Sequence, residues 1–257
     1  MGMMIDACVA QHQGDRREQQ DRVALLPHPR GGGVALAVVA DGMGGHTGGA
    51  LAAQQVIHTA ETNLGQFSLR SESPRDLLTS SINEAHMLIK ASRFINEKEP
   101  HSTAVMLMLQ PGEVSWAHCG DSRLYRFRGE RMMSCTADHS YVAELVAKGR
   151  ISPEQAQVHP HRNILLTSLG GNEPPRIDCD ETRDLRADDA FVLCSDGLWG
   201  YFSDAELGGM VAAYSAREAC DRLVDRARTR ARGEGDNISI IVIKLQKAPE
   251  KPNKPGS

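Results

Sequence analysis

No two of the six cysteines in this 257-residue chain form a CxxC pair. Cys8, Cys119, Cys135, Cys179, Cys194 and Cys220 are scattered, which argues against a zinc knuckle or disulfide framework and for reduced thiols in a cytoplasmic protein. There is no basic excess either: 29 basic against 33 acidic side chains give a net charge of −4, so neither nucleic acid nor an anionic membrane is an expected partner. The first residues lack a basic stretch followed by an apolar one, so no secretory leader is expected. Gly2 follows Met1, but Asp6 stands where a myristoylation motif wants serine or threonine. No apolar run approaches the length of a membrane span. There is no Walker A sequence, and Met43-Gly44-Gly45 is no dinucleotide fingerprint, because Thr47 occupies the place of the third glycine. Internal repeats and domain linkers are also missing, and the absence of further domains points to a monomer.

What is present is a chain with 40% hydrophobic residues, enough for one large core. Strands are expected at 5–9, 23–26, 34–40, 102–109, 113–119, 124–128, 131–135, 191–195 and 238–245. The run 102–135 has such short connections that its strands must be antiparallel. Helices are expected at 48–64 and from Ser73-Pro74 towards residue 94, with serine as cap and proline at the first helical position. Capping boxes at 152–155, 203–206 and 215–218 open three more, and 141–148 is helical. Residues 159–175 are irregular and polar, a mobile flap. Residues 247–257 alternate Lys, Pro, Gly and Asn and read as a disordered tail.

The most informative stretch is 34–46, VALAVVADGMGGH. A small, β-branched strand ends abruptly at Asp41, and glycines follow. A carboxylate at the lip of a buried strand, beside backbone that can approach closely, is able to hold a hard cation. The same residues would also make an ordinary turn. The strand–Asp–Gly pattern recurs at Asp196-Gly197. Asp236 stands just before the last strand, after Gly233 and Gly235, and Asp121 closes the strand 113–119. Four aspartates at strand ends can converge on one edge of a strand assembly, where they would raise one another's pKa values or recruit cations. Oxygen ligands without paired His or Cys favour magnesium or manganese over zinc.

The ordered set of residues 16–21, 40–46, 102–104, 120–123, 138–140, 195–197 and 235–237 resembles the bacterial metal-dependent serine/threonine protein phosphatases of type 2C, the PPM family. DGMGGH is its most specific member, and the set spans almost the whole chain. The resemblance implies an α+β fold: a central β-sandwich of two antiparallel sheets with helices on both faces, four layers αββα. It implies a catalytic domain over 1–246, with a flap at about 139–175 that contacts protein substrate. Asp41 would bridge two Mn2+ or Mg2+ ions with help from the Gly42 carbonyl. Asp196 and Asp236 would complete the other ion, and Asp121 with Asp196 would hold a third. Arg16 would grip the substrate phosphate and His46 would assist as an acid. Asp21 and Asn237 would support the ligands. Gln20 departs from the family, which often has glutamate there, so weaker binding of the second metal is expected.

The implied activity is hydrolysis of phosphoserine and phosphothreonine in proteins, a cognate kinase among them. The alternative is a catalytically weak phosphatase-like domain that regulates or binds phosphoproteins. Two other phosphatase signatures carry less weight. Cys220 and Arg226 have Cys-x5-Arg spacing, but there is no glycine cradle and Asp221 and Asp225 would repel an anion. Asp178-x-Asp180-x-Thr182 matches a DxDxT pattern without a buried strand before it. His159 and His161 read as flap residues.

Overall fold

A computed structural model describes residues 3–44, 47–96 and 99–247. His46 and residues 248–257, the bulk of the expected tail, lie outside the described residues. The elements in chain order are β1 (Met3–His12), β2 (Arg22–Pro27), β3 (Ala35–Ala40), β4 (Gly42–Met43), α1 (Thr47–Gln66), α2 (Pro74–Asn96), β5 (His101–Ser102) and β6 (Ala104–Gln110). They continue with β7 (Glu113–Cys119), β8 (Arg123–Arg128), β9 (Arg131–Cys135), α3 (Tyr141–Ala147), α4 (Pro153–Gln157), β10 (Asp178–Thr182) and β11 (Asp189–Cys194). The last four are α5 (Asp196–Trp199), α6 (Asp204–Ala213), α7 (Ala216–Ala231) and β12 (Ile238–Lys247).

Two five-stranded antiparallel sheets, ordered β10-β7-β6-β3-β2 and β1-β12-β11-β8-β9, stack face to face. Side chains alternate across each strand with period two, so the central strands must be apolar on both faces. In β3, Ala37 and Val39 meet Leu107, Phe191 and Ile241 between the sheets. Leu36, Val38 and Ala40 point the other way, onto Ala53, Val56 and Ile57 of α1 and Leu78 and Ile82 of α2. On the far side Tyr125, Phe127, Val192 and Val242 pack against Leu207 and Val211 of α6 and Cys220 and Leu223 of α7. The αββα layering implied by the resemblance is the one observed. All six cysteines are free.

Several local expectations change. Residues 102–109 do not form one strand: the Thr103 N–H turns to the Asp41 carbonyl (2.8 Å) instead of a ladder partner, which separates β5 from β6. No strand was expected at 178–182, yet β10 pairs with β7 there. As an edge strand it needs only its ladder, so its polar sequence DCDET shows no apolar alternation. The box at 203–206 is half formed. Ser203 accepts from the Glu206 N–H, but the Glu206 carboxylate reaches Arg226 and Arg230 instead. The boxes at Ser152–Gln155 and Ser215–Glu218 are complete. Asp196 is not in a plain turn but opens the one-turn helix α5.

Candidate metal centre

The ends of β3, β7, β11 and the start of β12 deliver Asp41, Asp121, Asp196 and Asp236 to one cavity of about 660 Å3. Arg16, Arg17, Glu18, Gln20, Gly42, Asn163, Leu165 and Asn237 also line it.

Each carboxylate sits on backbone that is pinned from behind. The Asp41 N–H donates to Thr103 Oγ1 (3.0 Å), and its carbonyl accepts from the Thr103 N–H (2.8 Å) and Ser102 Oγ (3.2 Å). Thr103 Oγ1 also meets Ser122 Oγ at 2.7 Å, which ties the Asp41 turn to the Asp121 turn. Gly120 has a φ of +106°, and a Cβ there would stand 2.7 Å from Thr103 Cγ2, so only glycine fits. Trp199 Nε1 donates to the Asp121 carbonyl (3.0 Å). The Trp199 ring is covered by the Arg123 guanidinium at 3.6 Å. Arg123 in turn grips Asp138 with a two-pronged bond of 2.7 and 2.8 Å.

Asn237 joins the loop before β2 to the strand that carries Asp236. Its Oδ1 accepts from the Gln20 N–H (2.7 Å), and its Nδ2 donates to the Gln13 and Glu18 carbonyls (2.8 and 3.0 Å). Its own N–H donates to Asp236 Oδ1 (2.8 Å). Gly197 allows α5 to start against this strand: a Cβ would lie 2.1 Å from the Asn237 carbonyl oxygen. Asp21 is buried beneath the site and accepts from Ser195 Oγ at 2.8 Å. Arg16 lies at the rim, exposed, with Nη2 2.6 Å from Asp236 Oδ2.

Burial is the main force on these carboxyls, and their neighbours add to it. Asp41 is pushed well above the usual carboxylate range by burial and by Asp21, Asp196, Asp121 and Asp236. Burial and Asp196 push Asp121 up to about 8. Burial pushes Asp21 up to about 7 against the hydrogen bonds from Ser195 and Ser239. Burial and Asp236 push Asp196 up to about 6, while the Gly197 N–H and a hydrogen bond with the Asp41 carboxyl act the other way. Crowded carboxyls whose pKa values are raised by burial and by one another are the donor set of a hard divalent cation. The residues present fit manganese or magnesium.

The sequence pattern of Protein phosphatase 2C matches residues 10–232. The chain belongs to this family. The serine/threonine protein phosphatase PstP of Mycobacterium tuberculosis is 33% identical over 220 residues, 82% of this chain but only 40% of that protein. Protein phosphatase PhpP of Streptococcus pneumoniae is 30% identical over 230 residues, 83% of this chain and 87% of the relative. The solved S. agalactiae serine/threonine phosphatase superposes with a TM-score of 0.85 at 28% identity, covering 94% of this chain and 99% of the other. The PstP catalytic domain solved with two manganese ions superposes with a TM-score of 0.79 at 26% identity, covering 96% of this chain and all of the other.

Within this protein phosphatase 2C fold the rival signatures fall away on geometry. Cys220 is buried in α7, and Arg226 is held by Glu206. Asp178 is on the edge strand β10, bonded to His139 and Arg176. Sequence reasoning missed Trp199 and Gly49, and it had Ser122 within the 120–123 motif without its bond to Thr103. A Cβ on Gly49 would lie 2.6 Å from the Gly42 carbonyl oxygen, so this α1 glycine lets the Asp41–Gly42 turn close. The small pair Gly48-Gly49 opening α1 was the available signal.

Proposed function

We propose that the chain is a manganese- or magnesium-dependent phosphatase acting on phosphoserine and phosphothreonine in proteins. The observation that carries this reading is the convergence of Asp41, Asp121, Asp196 and Asp236 on one cavity with Arg16 at its rim. Asp41 and the Gly42 carbonyl would hold two ions jointly with Asp196 and Asp236, and Asp121 with Asp196 a third. Such ions supply Lewis-acid charge that acidifies water and neutralises phosphate. Arg16 leaves Asp236 and turns its planar fork to two phosphate oxygens, fixing the phosphorus for in-line attack by water. The phosphorus–oxygen bond to the serine or threonine breaks, and that oxygen takes a proton, a role assigned to His46. Water is the nucleophile in this reading, because the aspartates that line the cavity would be committed to the ions and no cysteine, serine or histidine lines it among the described residues. Asp21 and Asn237 hold the ligand-bearing backbone. Asn163 and Leu165, within the expected flap, line the cavity, and protein substrate would rest against them.

The decisive experiment is hydrolysis of a simple aryl phosphate and of a phosphothreonine peptide with manganese, then with EDTA. Turnover that appears with manganese and vanishes with EDTA is expected. Binding of the phosphopeptide without turnover would instead support the regulatory alternative. Arg16→Lys is expected to raise KM about tenfold, because a point charge replaces a two-pronged donor. An unchanged KM sinks the role of Arg16. Gln20→Glu is expected to tighten manganese binding several-fold, on the order of what one added carboxylate contributes. Equal affinity by calorimetry would reject that. We further read the enzyme as a cytoplasmic monomer that reverses the work of a cognate kinase. No helix among the described residues is long and apolar enough to cross a membrane. Sedimentation at micromolar concentration tests the monomer.

A further inference from the structure

Behind the Asp121 turn, away from the cavity, lie His118, His139 and Asp178, with one potential ligand atom of each within 4.8 Å of the others. The group looks like a second cation site, but its hydrogen bonds say otherwise. The Gly120 N–H donates to His139 Nδ1 (3.2 Å), so the ring proton of the neutral imidazole is on Nε2 and points at Asp178 Oδ2 (3.1 Å). No lone pair on His139 is left for a metal. Asp178 is already engaged by Arg176 at 2.8 and 3.3 Å. The His118 ring stacks on His139 with centroids 4.5 Å apart, and its Nε2 donates to the Ala137 carbonyl (2.9 Å). The near-parallel planes, 23° apart, would not aim both rings at one ion.

The geometry points to His139 as a positioning residue that sets the Asp121 carboxylate and joins it to the flap. His139 holds both backbone groups of Gly120: its ring accepts from the Gly120 N–H, and its own N–H donates to the Gly120 carbonyl (2.9 Å). Gly120 is the residue before Asp121 and is in a conformation only glycine adopts freely, so its peptide orientation decides where Asp121 points. On its other side the His139 carbonyl accepts from the Leu166 N–H (2.8 Å), and the Tyr141 N–H donates to the Ile164 carbonyl (2.8 Å). These are the chain neighbours of Asn163 and Leu165, which line the cavity. The ring is 1% exposed, and burial lowers its pKa, which keeps the single-proton form that both bonds require. Asp178 and Arg176, brought up by the edge strand β10, fix the ring from outside.

The inference rests on the reading of Asp121 as a ligand of the weaker ion, and the test separates the two. Calorimetric titration with Mn2+ alone, on the full chain, compares the parent with His139→Gln, His139→Asn, Asp178→Ala and Asp121→Asn. Asparagine places an oxygen where Nδ1 accepts from Gly120, whereas glutamine places its amide towards Asp178 and leaves the Gly120 N–H without its acceptor, the main-chain bond to the Gly120 carbonyl staying in both. His139→Gln is expected to weaken the low-affinity ion about tenfold, the lower end for residues that orient metal ligands. The tighter ions should be untouched, His139→Asn should restore most of the loss, and Asp178→Ala should fall between. Should His139→Gln fail to fold, Asp178→Ala, whose side chain is 39% exposed, carries the test in the same direction. If His139→Gln and Asp178→Ala bind like the parent while Asp121→Asn loses the weak ion, the inference is overturned and the Asp121 reading stands. Equal weakening of all ions in His139→Gln and His139→Asn also overturns it, because that is general damage. If Asp121→Asn keeps the weak ion, the reading of Asp121 falls and the inference falls with it.

Discussion

Asp41→Asn is expected to lower manganese-dependent phosphatase turnover by about a thousandfold or more, the scale of losing a preorganised charged group at a reacting centre. Four carboxylate neighbours, Asp21, Asp196, Asp121 and Asp236, all act on Asp41, which places it within the charge cluster. It also shares a hydrogen bond with Asp196. An amide in its place keeps the size and the contacts of its backbone to Thr103 and Ser102, since those use only main-chain atoms of Asp41. The loss therefore reports charge and ligation, not folding. Asp196→Asn should behave alike. Cys220→Ser and Asp180→Asn, which belong to the rival signatures and are not among the residues that line the cavity, should retain parental turnover. Aryl phosphate hydrolysis across a manganese titration checks this. Full activity in Asp41→Asn at saturating manganese would refute the proposed centre.

The parts of this site that could be read from sequence are those with a local cause. Asp41 and Asp196 each follow an apolar strand and precede glycine, and that junction is visible in a dozen residues. The layers were equally legible, because β3, β6, β7 and β11 are strongly apolar and bounded by turns. What stayed hidden depends on contacts between distant positions. Thr103 breaks its strand only because the Asp41 carbonyl claims its N–H, 62 residues away in sequence. Edge strand β10 has no apolar face to announce it. Trp199 looks like a core aromatic until Arg123 is found over its ring and the Asp121 carbonyl at its nitrogen. The bond from His139 to Asp178 crosses 39 positions with no periodicity to connect them. Glu206 had the spacing of a capping box, but two arginines of α7 offered it stronger partners than a backbone N–H.

The same crowding of carboxyls predicts how the metal-free protein responds to pH. Asp121 and Asp21 are raised to about 8 and about 7 from an ordinary value of 3.8, and Asp41 is raised well above that value by burial first and by its carboxylate neighbours after. Between the unfolded and folded values the native state binds more protons than the unfolded chain, so stability falls as pH rises. Buried and half-buried histidines act oppositely: His86, His101 and His139 are lowered from 6.5, so their effect adds stability as pH rises and is complete near that value. Above about pH 6.5 only the carboxyls remain, and each unit over which one group stays protonated only in the native state is worth at most about 1.4 kcal/mol. For a chain of this length the melting temperature of EDTA-treated protein should fall roughly 5 °C or more between about pH 6.5 and pH 8. Manganese needs the carboxylates ionised and neutralises them, so it should raise the melting temperature and remove the decline. Asp41→Asn in EDTA should melt above the parent at the alkaline end, because one repelling charge has gone from the cluster. A mutation that destroys activity would thus stabilise the metal-free fold, and opposite signs in the two assays would mark the carboxylates as strained in the empty site and matched to cations. A melting temperature that is flat or rises with pH in EDTA would show that the carboxyls are not held against their charge and would remove the electrostatic argument for the centre.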